Sequence, residues 1–180
     1  LAKKLIFIIN ISKRMYVLFI KELNSFLSSL MGYITIIVFL AVMGLFLWVL
    51  PMEFNVIDFG YAGIDGLFMI APWVFLFLIP AITMKMLAEE RKNGTIELLL
   101  TKPLSDISII MAKFLAGVTL VFLSILPTVV YIVAVYQLGM PKGNLDLGGI
   151  IGSYIGLLLL GGVFVAIGVF SSSITNNQII

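Results

Sequence analysis

Apolar residues in this chain come in long uninterrupted runs, without the period of two that marks a half-buried strand. Residues 23–52, 66–84, 114–141 and 147–180 contain no Asp, Glu, Lys or Arg. About 20 apolar residues in a helix cross the roughly 30 Å hydrocarbon layer of a bilayer, so each run holds one membrane span. The best cores lie at about 31–50, 67–84, 110–135 and 150–170. Packed as a water-soluble core, four such runs would leave almost no polar face for water. The expected fold class is an all-α polytopic membrane protein. The first run is longer than the 7–15 residues of a signal-peptide core and follows a long N-terminal segment, so it reads as a retained span.

Ahead of span one the pattern changes. Between about residues 13 and 30, Arg14, Lys21, Glu22, Ser25, Ser28 and Ser29 share one helical face, and Phe19, Leu23, Phe26, Leu27 and Leu30 share the other. Such an amphipathic helix lies in the headgroup plane and turns into span one, with Gly32 as the joint. A cytoplasmic extension of span one is the alternative. The chain opens on Leu1 instead of Met, and Met15 is a candidate initiator.

Composition narrows the chemistry. The 180 residues are 62% hydrophobic and 11% charged, with a mean hydropathy of +1.21. A net charge of +2 gives no case for nucleic acid. The absence of Cys and His removes disulfides, thiolate and imidazole catalysis and the usual zinc ligands. No metal, cofactor or catalytic residue is expected, and the chain reads as no enzyme in itself.

Charge position sets the orientation. Lys3, Lys4, Lys13, Arg14 and Lys21 precede span one, and Lys85, Arg91, Lys92, Lys102 and Lys113 lie between spans two and three. Of the remaining loops, 51–65 and 136–149 carry only Lys142 among the basic residues, beside Glu53, Asp58, Asp65 and Asp146. The positive-inside rule then places the N-terminus and the 85–113 loop in the cytoplasm.

Within the spans no ionisable group is expected at mid-membrane, which weakens a proton-coupled carrier or channel. Thr119, Ser124, Thr128, Tyr131, Ser153 and Tyr154 are expected to hydrogen-bond neighbouring helices. Pro72, Pro80 and Pro127 are candidate hinges, with ordinary packing kinks as the alternative. Gly148, Gly152 and Gly156 recur every four residues, a spacing that lets two helix backbones approach, most simply within the chain.

The loop after span two is the most informative stretch. Asn93-Gly94 suits the end of a helix, with glycine in the left-handed position. Thr95 and Glu97 suit the start of a short second helix that Pro103 ends, and Ser105-Asp106 suits the cap of span three. A short helix held between two spans is a surface that a soluble partner can push; an ordinary polar loop is the alternative.

The run Glu90-Arg91-x-x-Gly94-Thr95-Ile96-Glu97-Leu98-Leu99-Leu100, followed by Pro103-Leu104-Ser105, resembles the loop after the second span in ABC-2 type transporter permeases. Lys21-Glu22-Leu23-Asn24-Ser25-Phe26, Ala71-Pro72-Trp73-Val74-Phe75, Tyr136-Gln137-Leu138-Gly139 and Thr175-Asn176-Asn177-Gln178 are similar to the gliding-motility-associated (GldF) permeases of that family. The resemblance runs from Met15 to Ile180. It implies an interfacial helix within residues 1–30, an ABC-2 type transmembrane domain over 31–180 and a coupling loop at 85–106. It also implies an inner-membrane exporter of two permease subunits, identical or different, with two separate ATPases. The docking positions it implies are Glu89, Glu90, Arg91, Gly94, Thr95 and Glu97. The chain has no Gly-x-x-x-x-Gly-Lys-[Ser/Thr] phosphate loop, so ATP hydrolysis is expected in another polypeptide. Family members usually have six spans, and four here point to a C-terminal truncation. A non-transporting membrane anchor of a motility or secretion complex is the competing function.

Overall fold

The computed structural model describes residues 2–58, 60, 62–84, 86, 94 and 105–174, with side chains from Met15 onward. Among these residues the regular structure is helical: α1 (Ala2–Leu27), α2 (Leu30–Gly44), α3 (Asp65–Thr83), α4 (Asp106–Ile125), α5 (Val129–Leu138) and α6 (Leu147–Ile174). Four stretches are long and apolar enough to cross a membrane, namely Leu30–Val49, Asp65–Thr83, Asp106–Leu138 and Leu147–Ile174. Their outer surface is apolar: Ile37, Trp73, Phe77, Val130, Leu159 and Phe170 are all more than half exposed. In water such a surface would aggregate, whereas in lipid it is the ordinary outside of a helical bundle.

Local sequence explains where several helices start. Ser29 caps α2, its Oγ accepting from the Gly32 amide at 3.1 Å, and Ser105 caps α4, its Oγ accepting from the Ser108 amide at 3.3 Å. Those bonds satisfy amides that the first turn of a helix leaves without carbonyl partners. Span one ends in a π-helical turn, Leu45–Val49, and span three changes at Pro127 into a single 3-10 turn, Leu126–Thr128, before continuing as α5. Span three is therefore two helical pieces, and it begins and ends beyond the expected 110–135. Pro72 and Pro80 sit inside α3, which stays one helix through both.

The α6 helix lies against α3 and α4, α2 packs on α3, and α1 packs along α4. The main core joins Phe39, Met43 and Leu47 of span one to Phe75 and Ile79 of α3 and to Val165 of α6. Phe39 and Phe75 stack with centroids 5.1 Å apart. Close backbone approach occurs where a glycine faces a branched side chain. A Cβ on Gly117 would stand 2.7 Å from Val165 Cγ1, and one on Gly161 would stand 2.6 Å from Val121 Cγ1. These two contacts interlock α4 and α6 in antiparallel register.

The in-chain packing expected at Gly148, Gly152 and Gly156 is not found among the described residues, which leaves a second copy as the other reading of that face. All three are exposed, and a Cβ on Gly152 or Gly156 would meet nothing within 4 Å among the described residues. Helix α6 turns the side bearing Gly161, Val165 and Gly168 inward, which carries the regular glycine stripe outward.

Candidate functional site

The exit of α3 is where separate segments are tied together by polar atoms. Residues at the C-terminal end of a helix present carbonyls without amide partners. Here one such carbonyl, at Met84, and the Met86 carbonyl beyond the helix are taken by side chains from other spans. The Met84 carbonyl accepts from Ser172 Oγ of α6 at 2.8 Å, and the Met86 carbonyl accepts from Lys113 Nζ of α4 at 2.8 Å. Beside them Thr83 Oγ1 donates to the Ile79 carbonyl at 2.9 Å and lies against Gly168 of α6.

Lys113 also donates to Glu22 Oε2 of α1 at 3.2 Å, and the lysine side chain is 1% exposed. The second carboxylate oxygen, Oε1, is 3.7 Å from Nζ of the exposed Lys21. Leu18, one turn before Glu22, packs with Ile109 and Ala112 of α4, so the pair is roofed by apolar contacts. Two sequence expectations change. Glu22 does not join Ser25 and Ser28 on an exposed polar face; it points into the α1–α4 contact, because Lys113 offers a buried charge that only a carboxylate balances. The other is the start of span three, which lies ahead of Lys113: the lysine sits about 10 Å into α4 at a rise of 1.5 Å per residue, near one end of the 33-residue span and away from its middle. An isolated lysine flanked by Ile109–Ala112 and Phe114–Ala116 was the available signal.

After this exit the sequence continues into the 85–106 stretch, for which a docking role is expected from the resemblance. Of its expected positions, Gly94 is described and has φ +67°, the left-handed conformation that glycine adopts without penalty. Glu89, Glu90, Arg91, Thr95 and Glu97 lie outside the described residues.

The hydroxyls inside the spans mostly serve their own helices. Thr119 donates to the Leu115 carbonyl and Ser124 to the Leu120 carbonyl, the nearest acceptors one turn back, which corrects the expectation of inter-helix bonds for these two. Thr128 meets the expectation: its Oγ1 is 3.0 Å from Tyr154 Oη of α6, and it also bonds the Ile125 carbonyl beside the Pro127 break. Nearby, Trp48 and Tyr131 pack edge to face with centroids 5.7 Å apart, and the buried Trp48 Nε1 has no hydrogen-bond partner among the described residues. Between the ends of spans one and two, at the opposite end from Lys113, lies an open groove of about 740 Å³ lined by Phe46, Phe54 and Trp73 and edged by Glu53 and Asp65. Among the described residues no three His, Cys, Asp or Glu side chains group as metal ligands would.

The profile of the ABC-2 family transporter proteins matches residues 16–178, which runs from the second half of α1 past the end of α6. The chain belongs to the ABC-2 transporter family. Neither a curated protein nor a solved structure matches it. ABC-2 permeases are membrane subunits of ATP-driven transporters, in keeping with a multi-pass chain of four apolar spans. In this ABC-2 chain the ion pair of Glu22 and Lys113 falls inside the matched region, as does the loop that leaves α3.

Proposed function

We propose that this ABC-2 chain is the permease subunit of an inner-membrane exporter, driven by a separate P-loop ATPase that docks on the 85–106 loop. The observation that carries the reading is the family match, which includes that loop between two spans. The charge distribution supports a cytoplasmic N-terminus and a cytoplasmic loop, since every Lys and Arg but Lys142 lies on that side. Glu89, Glu90, Arg91, Gly94, Thr95 and Glu97 are the docking positions in this reading. Pro72, Pro80 and Pro127 are the points at which spans two and three flex, and a second permease subunit completes the path. The sequence similarity to gliding-motility permeases supports a role in that machinery.

Gly94 tests the docking role. A β-branched residue at φ +67° is strained by about 1–2 kcal/mol, enough to lower the docking-competent population roughly tenfold. Gly94→Val should weaken retention of the ATPase and permease-stimulated ATP hydrolysis by about that factor, with membrane insertion unchanged. Asn, which tolerates the left-handed region, should retain most of the activity. Retention and hydrolysis equal to wild type in the Val variant would refute the docking role and favour an anchoring subunit.

A further inference from the structure

Three segments far apart in the chain converge on one ammonium. Lys113 belongs to α4, Glu22 to α1, and the Met86 carbonyl stands just past α3, where the chain enters the docking loop. Apolar side chains of similar volume would hold α1 against α4 at least as well, so adhesion alone does not call for a buried ion pair. What the pair adds is register. If α1 or the loop slips past α4, an ammonium or a carboxylate is left without its partner in a water-poor interior, so the three segments shift together or not at all.

The tie extends to span one. Helices α1 and α2 are joined by a two-residue turn in which the Ser29 amide bonds the Phe26 carbonyl at 3.1 Å. Gly32 is set against that same carbonyl so closely that any Cβ would collide with it. A displacement of α1 is therefore passed to α2 without slack.

We propose that Lys113 is a positioning residue for energy coupling: it grips the Met86 carbonyl at the mouth of the docking loop and, through Glu22, carries the loop's displacement to α1 and span one. This inference rests on the reading of the 85–106 loop as the ATPase docking surface. In this role Lys113 acts through the segments it joins.

The test uses the full chain purified with its ATPase and returned to lipid vesicles. Three quantities are followed: ATPase retained per permease, melting temperature and permease-stimulated ATP hydrolysis. The double variant Glu22→Gln/Lys113→Met removes both charges at nearly constant volume. It should retain the ATPase and melt within about 3 °C of wild type, while stimulated hydrolysis falls roughly tenfold, the scale of ordinary site-to-site coupling. The exchanged pair Glu22→Lys/Lys113→Glu keeps an α1–α4 ion pair, yet a carboxylate cannot donate to the Met86 carbonyl, so it too should stay uncoupled. Lys113→Arg, which keeps a donor for both partners, should recover most of the stimulation. Wild-type stimulation in either folded charge variant would overturn the inference and leave the pair as a packing device. If the wild-type complex retains its ATPase but Gly94→Val loses nothing, the docking reading fails and this inference fails with it.

Discussion

Gly168 of α6 faces Thr83 of α3 so closely that a Cβ there would overlap the threonine hydroxyl and stand 2.7 Å from Thr83 Cβ. Thr83 has little freedom to withdraw, being buried and bonded through Oγ1 to the Ile79 carbonyl. Gly168→Ala should therefore destabilise the protein by about 1–3 kcal/mol, the usual effect of overpacking. Gly152→Ala should be neutral or stabilising by up to about 1 kcal/mol, because alanine is the better helix former and the site is open. Paired thermal unfolding in one detergent checks both, and equal melting temperatures would refute the contrast. In the sequence the ranking is the reverse, since Gly148, Gly152 and Gly156 form the regular stripe. A glycine permits close approach by a local property, whereas the approach itself depends on the helix opposite. Lys113 illustrates the same limit: its charge is visible in the sequence, but its partner is 91 residues away on α1.

Among the elements, the joint between α1 and α2 is the most sharply constrained. Gly32→Ala would push its new methyl into the Phe26 carbonyl, so α1 must swing away from the α2 axis or lose its last turn. A loss of about 1–3 kcal/mol is expected, with the helical circular dichroism signal nearly unchanged, because each helix remains a helix while their packing suffers. An unaltered melting temperature would mean that the joint relaxes freely. The role of Gly32 and the cap at Ser105 were legible in the sequence, since a cap is a relation between residues three apart; the cap at Ser29 was not, because the sequence pattern placed that serine on the polar face of the preceding helix. The π-helical turn at Leu45–Val49 was not, as Leu-Phe-Leu-Trp-Val contains no residue that demands it. Pro127 was legible as an interruption, yet its outcome was not: the 3-10 turn at Leu126–Thr128 lets span three continue over 33 residues.

At the scale of the whole molecule, four spans among the described residues put α1 and the end of α6 on one side of the bilayer. The absence of Cys makes single introduced cysteines clean reporters. With inverted and right-side-out vesicles, Asp58→Cys and Lys142→Cys should react with an impermeant thiol reagent from the extracytoplasmic side. Ser25→Cys should react from the cytoplasmic side. Labelling of all three from one side would refute the proposed topology. The number of spans, their approximate places, the cap at Ser105 and the asymmetry of charge followed from the chain alone, because each depends on the content of one continuous stretch. The inward faces, the glycines that carry close packing and the meeting of Glu22, Lys113 and Met86 were decided by tertiary structure. The physical reason is that lipid tails are as apolar as leucine, so a span apolar all round does not mark its inner side. Only the facing helix, with its particular knobs, hollows and buried charges, chooses that side.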